Sequence, residues 1–321
     1  MIARRTLLAA GALLPGAAFA QAEYPNRPVR IIVPFPPGQA TDIVTRLIAD
    51  ELSRRWPQRV VVENRAGGAG VPALDAGARA PADGYTLING TSGTLGINPG
   101  VIQRLPYDPL RDFAPITNVA MVPLMIIAHP SFPAQTLDAL LAKARAEPGR
   151  IDVASAGPAT SQHMAAEMFA HQAGIQLNIV HYRGSGPAVT DLIAGNIPVM
   201  FDSVASALPH IRGGRARAIA VTVRARVAQL PETPTIAERL AGYEAAGWSG
   251  LVAPAGTPPD IVRKINADVV AILGEPAVIE RIAGLGMIAD PGTPAAYAAF
   301  VAAEIAKWRE VARIANVRLD G

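Results

Sequence analysis

Short β-branched runs alternate along this chain with longer stretches whose apolar positions recur every three or four residues. "VRIIV" (29–33) is the first short run, and Pro34 ends it. "DIVTRLIADELSRRW" (42–56) follows, with Val44, Leu47, Ile48 and Leu52 on one helical face. "RVVVEN" is a second strand, followed by "RAGGAGVPALDAGARA", a glycine-rich turn and a helix of small residues. "GYTLINGTS" and "VPLMIIAHP" (122–130) are strands. "TLDALLAKARAEPG" is a helix stopped by Pro148-Gly149. "RIDVASAG", then the helix "SQHMAAEMFAHQAG" closed by Gly174, then "LNIVHYRG", "PAVTDLIAG", "IPVMFDS" and "RARAIAVT" repeat the alternation. Strands separated by helix-sized spacers imply βα units and largely parallel sheets.

Ligands of such sheets bind beyond the carboxyl ends of the strands. Function is therefore expected in the polar segments after strands: "PPGQATD", "NGTSGT", "SAGPATSQH", "YRGSGP" and "FDSVAS". The first of these is unusual. "VPFPPGQATD" (33–42) places three prolines and a glycine directly before a helix start. Helix N-termini carry unpaired N–H groups and a positive dipole end, so such a loop suits an anion.

The last third changes character. "GTPPDIVRKINADVVAIL" offers Thr257 as N-cap, Pro258 at the first helical position and Asp260 three residues after the cap. "TPAAYAAFVAAEIAKWREVARI" repeats the Thr-Pro opening, and its stripe of Tyr297, Val301, Ile305 and Trp308 is expected to be core.

The N-terminus reads as an export signal, not an element of the fold. Arg4 and Arg5 precede an apolar stretch, and Ala18-Phe19-Ala20 is an A-x-A cleavage site. The paired arginines leave Sec and Tat export both open. Removing residues 1–20 leaves 27 basic against 26 acidic residues, so charge points to no nucleic-acid or membrane partner. Cysteine is absent from all 321 residues, which excludes disulfides, thiolate metal sites and a cysteine nucleophile.

Motifs for turnover are incomplete. "GTSGT" (90–94) and "GWSGL" (247–251) each lack the last glycine of the nucleophile elbow. "GAGVPA" (68–73) fits a dinucleotide fingerprint only loosely, since Pro72 interrupts it and no acidic residue ends a strand at the right distance. A tight turn explains it better. His163 and Glu167, one helical turn apart, form too small a set for a metal. Loops rich in Gly, Ser, Thr and Gln but poor in acid–base pairs suit binding better than catalysis.

Eight collinear segments carry a resemblance: "YPNRPVRIIVPFPPG", "VVVENRAGG", "PADGYTL", "LPYDPLRDFAPI", "ASAGPATSQHMAAEMF", "DLIAGNIPVMFD", "ARAIAVT" and "GLVAPAGTPPDIV". Together they resemble the Bug family, the periplasmic receptors of tripartite tricarboxylate transporters. The resemblance implies an α/β fold of the type II periplasmic binding protein kind, with two α/β domains around a ligand cleft joined by crossing strands near Val122–Ile127 and Trp248–Ala253. The expected division is an export signal 1–20, a discontinuous first domain 21–122 plus 247–321, and a second domain 123–246. It also implies a monomeric carboxylate receptor that serves two membrane subunits, large and small, with no enzyme activity, cofactor or metal.

In the family, the loop after the first strand and the loop at "ASAGPATSQH" clamp one ligand carboxylate from opposite domains. Neither loop contains Lys or Arg, so N–H groups and hydroxyls are the expected donors. The candidates in the first loop are Phe35, Pro37, Gly38, Gln39, Thr41 and Asp42, with the N–H groups of Gly38, Gln39, Ala40 and Thr41 expected to be free. Thr91 and Ser92 are candidates after the third strand. Ser155, Gly157, Thr160, Ser161 and His163 are candidates in the opposite loop, and Arg183, Gly184 and Asp202 beyond it. The family commonly has two glycines where this chain has Gly38-Gln39, and Pro158 falls in a stretch that is usually glycine-rich.

Several candidates have a second reading. Asp42 serves the ligand or only complements the helix dipole, and Thr160 and Ser161 serve the ligand or only cap their helix. Asp202 serves a ligand hydroxyl or amine, or only starts a turn. Arg183 serves a second carboxylate or only solvent, and His163 orients its loop. Two other functions remain open from sequence: an α/β enzyme, esterase or nicotinamide-dependent, and a ligand sensor for a membrane signalling partner.

Overall fold

The computed structural model describes residues 24–319, so the expected signal 1–20 and its cleavage near Ala20 lie outside the described residues. The chain enters through β1 (Val29–Val33), α1 (Ala40–Arg55), β2 (Val60–Asn64), α2 (Val71–Ala78) and β3 (Thr86–Thr91). A π-helical turn (Ser92–Ile97) and the short α3 (Asn98–Val101) lead into the long β4 (Phe113–Ala128). Then come α4 (Leu137–Ala146), β5 (Asp152–Ser155), α5 (Ser161–Ala173), β6 (Asn178–His181), α6 (Ser185–Ile193), β7 (Val199–Ser203), α7 (Val204–Arg212) and β8 (Arg217–Val221). The chain returns through β9 (Ala246–Pro254) and closes with α8 (Pro259–Leu273), α9 (Pro276–Gly284), β10 (Ile288–Ala289) and α10 (Pro294–Ile314).

β4 organises the molecule because its two halves pair with different strands. Phe113–Pro123 runs antiparallel to β9, which continues outward to β3, β1 and β2. Leu124–Ala128 runs antiparallel to β7 and β8, with β5 and β6 beyond β7. β1, β2 and β3 are mutually parallel, as are β5, β6 and β7. The carboxyl ends of each set therefore share one sheet edge. The apolar run of β4 divides by pleat: Leu124, Ile126 and Ala128 join the core under α4 and α5, whereas Met125 and Ile127 join the core under α6 and α7. A strand with helices on both faces needs such a continuous apolar run.

The stripe on α10 is buried at Tyr297, Val301, Ile305 and Trp308. Its first part packs on the first sheet with Trp248, and Trp308 joins the core of the second. Glu304 fastens this junction by accepting both the Trp248 and Trp308 indole N–H groups, at 2.9 and 2.8 Å. One helix start differs from expectation. α8 begins at Pro259, and Thr257 does not cap it; its hydroxyl donates instead to the Pro254 carbonyl at 2.8 Å. Thr293 does cap α10, accepting the Ala296 N–H.

Candidate functional site

A cleft of about 760 Å³ opens where the carboxyl ends of the two strand sets face each other. That volume suits a small-molecule pocket. Five helical segments begin at its wall: α1 after Gln39, the π turn after Thr91, α5 after Thr160, α6 after Gly184 and α7 after Ser203. Each contributes first-turn residues to the lining, among them Ala40, Ser92, Ser161, Ser185 and Ser206. First-turn N–H groups lack helical partners, and the dipoles add positive potential. Among the described residues, the lining holds one cation, Arg183, and no carboxylate.

The first loop is built by Asp42. This buried carboxylate accepts the Gly38 N–H at 2.9 Å, the Asn64 amide at 2.8 Å and the Arg46 Nε–H at 3.0 Å. Burial works to raise its pKa, but Arg46, the Gly38 N–H and Asn64 outweigh that and hold it below the ordinary carboxylate value. Asn64 also donates to the Phe35 carbonyl, so β2 pins the same loop. The expectation of a free Gly38 N–H is therefore corrected, because that group is spent on Asp42. Gly38 sits at φ +84°, which a side chain disfavours.

The facing loop runs over a hydrogen-bonded network that is buried at Ser155 and His163 and exposed at His181. Gly157 at φ +133° and Ala159 at φ +54° turn the chain sharply. Thr160 donates to the Gly157 carbonyl at 2.7 Å and accepts the His163 N–H at 3.2 Å, capping α5. The Ala159 N–H donates to His163 Nδ1 at 3.2 Å. Ser155 Oγ lies 2.8 Å from His181 Nδ1, and the two imidazoles meet edge to face at 4.5 Å between centroids. Partial burial, then His163, lowers the His181 pKa; Glu167 opposes them.

This network gives a pH prediction. A histidine whose pKa is depressed on folding takes its proton later than the unfolded chain does, so stability falls as pH drops below the ordinary value of 6.5. The melting temperature should therefore decline between about pH 7 and about pH 5, and His181→Asn should flatten part of that decline. An unchanged slope in the variant would assign the decline elsewhere.

The candidates other than Pro37 separate into two groups. Phe35, Gly38, Gln39, Thr41, Thr91, Ser92, Gly157, Thr160, Ser161, Arg183 and Gly184 line the cleft. Asp42, Ser155, His163 and Asp202 lie beneath it, and Pro37 is an exposed loop residue whose neighbour Pro36 takes the lining position. Asp202 is fully buried between the starts of α6 and α7; its Oδ1 accepts the Ser185 hydroxyl at 2.7 Å and the Ser203 N–H at 2.8 Å. Burial raises its pKa against these donors.

The loop Ala66–Gly70, a tight turn in the sequence, forms one wall of the cleft. Its position follows from β1 and β2 being adjacent and parallel, which makes their outgoing loops neighbours. Gly70 lies at φ +79° so close to Thr94 and Pro34 that a Cβ would stand 2.6 and 2.9 Å from their carbons. The near-motif serines are not set up as nucleophiles. Ser249 is fully buried and accepts the Asn89 amide at 2.7 Å, and Ser92 follows the cap of the π turn. His163 Nε2 and Glu167 are 3.4 Å apart, and no third ligand joins them among the described residues.

A mixed α/β fold with helix starts converging on one cleft is the architecture of a solute-binding protein. Residues 44–317 match the model for the tripartite tricarboxylate transporter family receptor. The chain is 37% identical over 300 residues to Protein BugT of Bordetella pertussis, covering 92% of this chain and 91% of that one. Among solved structures, R. palustris Rpa4515 with adipate superposes with a TM-score of 0.88 at 35% identity, covering 92% of this chain and 99% of that one. MatC from Rhodopseudomonas palustris with bound malate gives 0.82 at 31% identity, covering 90% and 99%. The chain belongs to the tripartite tricarboxylate transporter receptor family.

Proposed function

We propose that this protein captures a small carboxylate in the cleft and delivers it to the large and small membrane subunits of a tripartite tricarboxylate transporter. The observation that carries the reading is the convergence of five helix starts, with Arg183 and, among the described residues, no carboxylate in the lining. A small anion there meets donors from both sides. The loops Phe35–Thr41 and Ala156–Ser161 hold the first carboxylate from opposite lobes, and Arg183 serves a second one. The lobes correspond to 21–122 plus 247–321 and to 123–246, hinged on β4 and the start of β9. The protein acts as a monomer in the periplasm after losing residues 1–20. The relatives with adipate and with malate support this ligand class.

A thermal-shift panel of mono-, di- and tricarboxylates tests the reading. A ligand that binds only the native state raises the melting temperature, by an amount equivalent to about 2.7 kcal/mol at a hundredfold excess over Kd. At least one acid should do so and be recovered unchanged. A panel without any shift would reject the carboxylate role. The same protein, taken from periplasmic extract, should have the mass of a chain beginning at Gln21.

A further inference from the structure

The lobes approach one another across the cleft at positions where one partner is glycine. A Cβ on Gly93 would stand 3.6 Å from the Ala159 carbonyl oxygen, and one on Gly247 would stand 3.2 Å from Ser161 Oγ. On Gly286 it would meet Val204 and Ala205 at 3.0 Å. These three contacts involve backbone or short side chains. The fourth is different: the position of a Gly184 Cβ is 3.1 Å from Gln39 Nε2.

Gln39 and Gly184 are the N-cap residues of α1 and α6, on opposite lobes. Neither gives its own helix a side-chain cap, although Thr91, Thr160 and Ser203 cap theirs around the same cleft. Both line the cleft, and Gln39 is half-buried. A glutamine at an N-cap forgoes the local bond that serine, threonine or aspartate would make. Here its side chain extends away from α1 and reaches the start of α6, with Gly184 leaving room for the amide. Gly184 lies at φ +109°, so a residue with a side chain there would be strained as well as crowded.

We infer that Gln39 is a specificity-determining residue that spans the cleft to Gly184 and limits the length of the acid that can lie beneath it. The inference rests on the carboxylate reading above. The amide fills the gap between α1 and α6, which the far end of a longer acid would otherwise enter. Truncating it opens that gap while leaving the helix-start donors in place.

The test is calorimetric titration of wild type and Gln39→Ala with succinate, glutarate, adipate and suberate. The variant should improve binding of the longer acids relative to the shorter ones by about tenfold or more, the scale of one or two methylenes freed from a clash. Gly184→Ala should weaken binding of the short acids more in wild type than in the Gln39→Ala background, because the amide is then no longer in the way. If the variant changes all four affinities by the same factor, or if Gly184→Ala acts equally in both backgrounds, Gln39 sets no length limit and the inference is overturned while the receptor reading stands. If neither wild type nor variant binds any of the four, while a monocarboxylate shifts the melting temperature, the length filter for diacids is likewise overturned. If no carboxylate of any kind binds, it is the receptor reading that fails.

Discussion

Asp42→Ala should weaken carboxylate binding by on the order of 100-fold without Asp42 touching the ligand. Its buried carboxylate holds the Gly38 N–H, Asn64 and Arg46, and Asn64 in turn holds the Phe35 carbonyl. Hydrogen bonds to a charged group contribute about 1.5–3 kcal/mol each, and donors left buried without partners add their own penalty. The terms overlap, so a total of about 4 kcal/mol is expected. Part of it appears as lower stability. The rest appears as affinity, because a loosened Phe35–Gln39 loop must be ordered again on binding. Asp42→Asn keeps an acceptor for Gly38 but loses the charge facing Arg46, and should fall in between, at about tenfold. Gly38→Pro should match the alanine variant, because proline cannot adopt φ +84° and has no N–H for Asp42. Calorimetry on the three variants decides. Wild-type affinity in Asp42→Ala would mean that the loop keeps its shape without this carboxylate.

Much of this architecture is legible in the sequence because periodicity reports burial. Val44, Leu47, Ile48 and Leu52 repeat at helical spacing and are buried on α1. Thr160 and Gly174 bracket α5 by backbone chemistry that is local. The loops at the carboxyl ends could be picked out because parallel strands direct them to one edge. What was not legible depends on contacts distant in the chain. The Ala66–Gly70 wall has no periodicity, and only the pairing of β1 with β2 brings it to the cleft. The cost of a polar residue is equally silent: ligand contact stays open for Asp42 and Asp202 in the sequence, but each is buried beneath a loop whose N–H or hydroxyl groups it satisfies, and His163, expected to orient its loop, accepts the Ala159 N–H there. Thr257 matched a capping pattern, yet Pro258 adopts ψ 133° and the helix starts beyond it.

The clamp itself makes the second large prediction. Ser161 begins α5 and lines the cleft, and its hydroxyl donates to the neighbouring Gln162 Oε1 at 3.2 Å. A ligand carboxylate is a stronger acceptor than that amide oxygen, so binding should redirect the hydroxyl. Ser161→Ala removes one charge-assisted bond, worth about 1.5–3 kcal/mol or roughly 10- to 150-fold in affinity. It leaves the cap intact, because Thr160 supplies it. Arg183 is exposed at the cleft and in no ion pair among the described residues. Arg183→Ala should therefore weaken only acids with a second carboxylate, by less than Ser161→Ala, since an exposed pair contributes about 0.2–1 kcal/mol. Titrating one mono- and one dicarboxylate into both variants separates the two roles. Losing both ligands in Arg183→Ala while Ser161→Ala keeps both would place the primary carboxylate on the guanidinium, and the five helix starts would then serve only to shape the cleft.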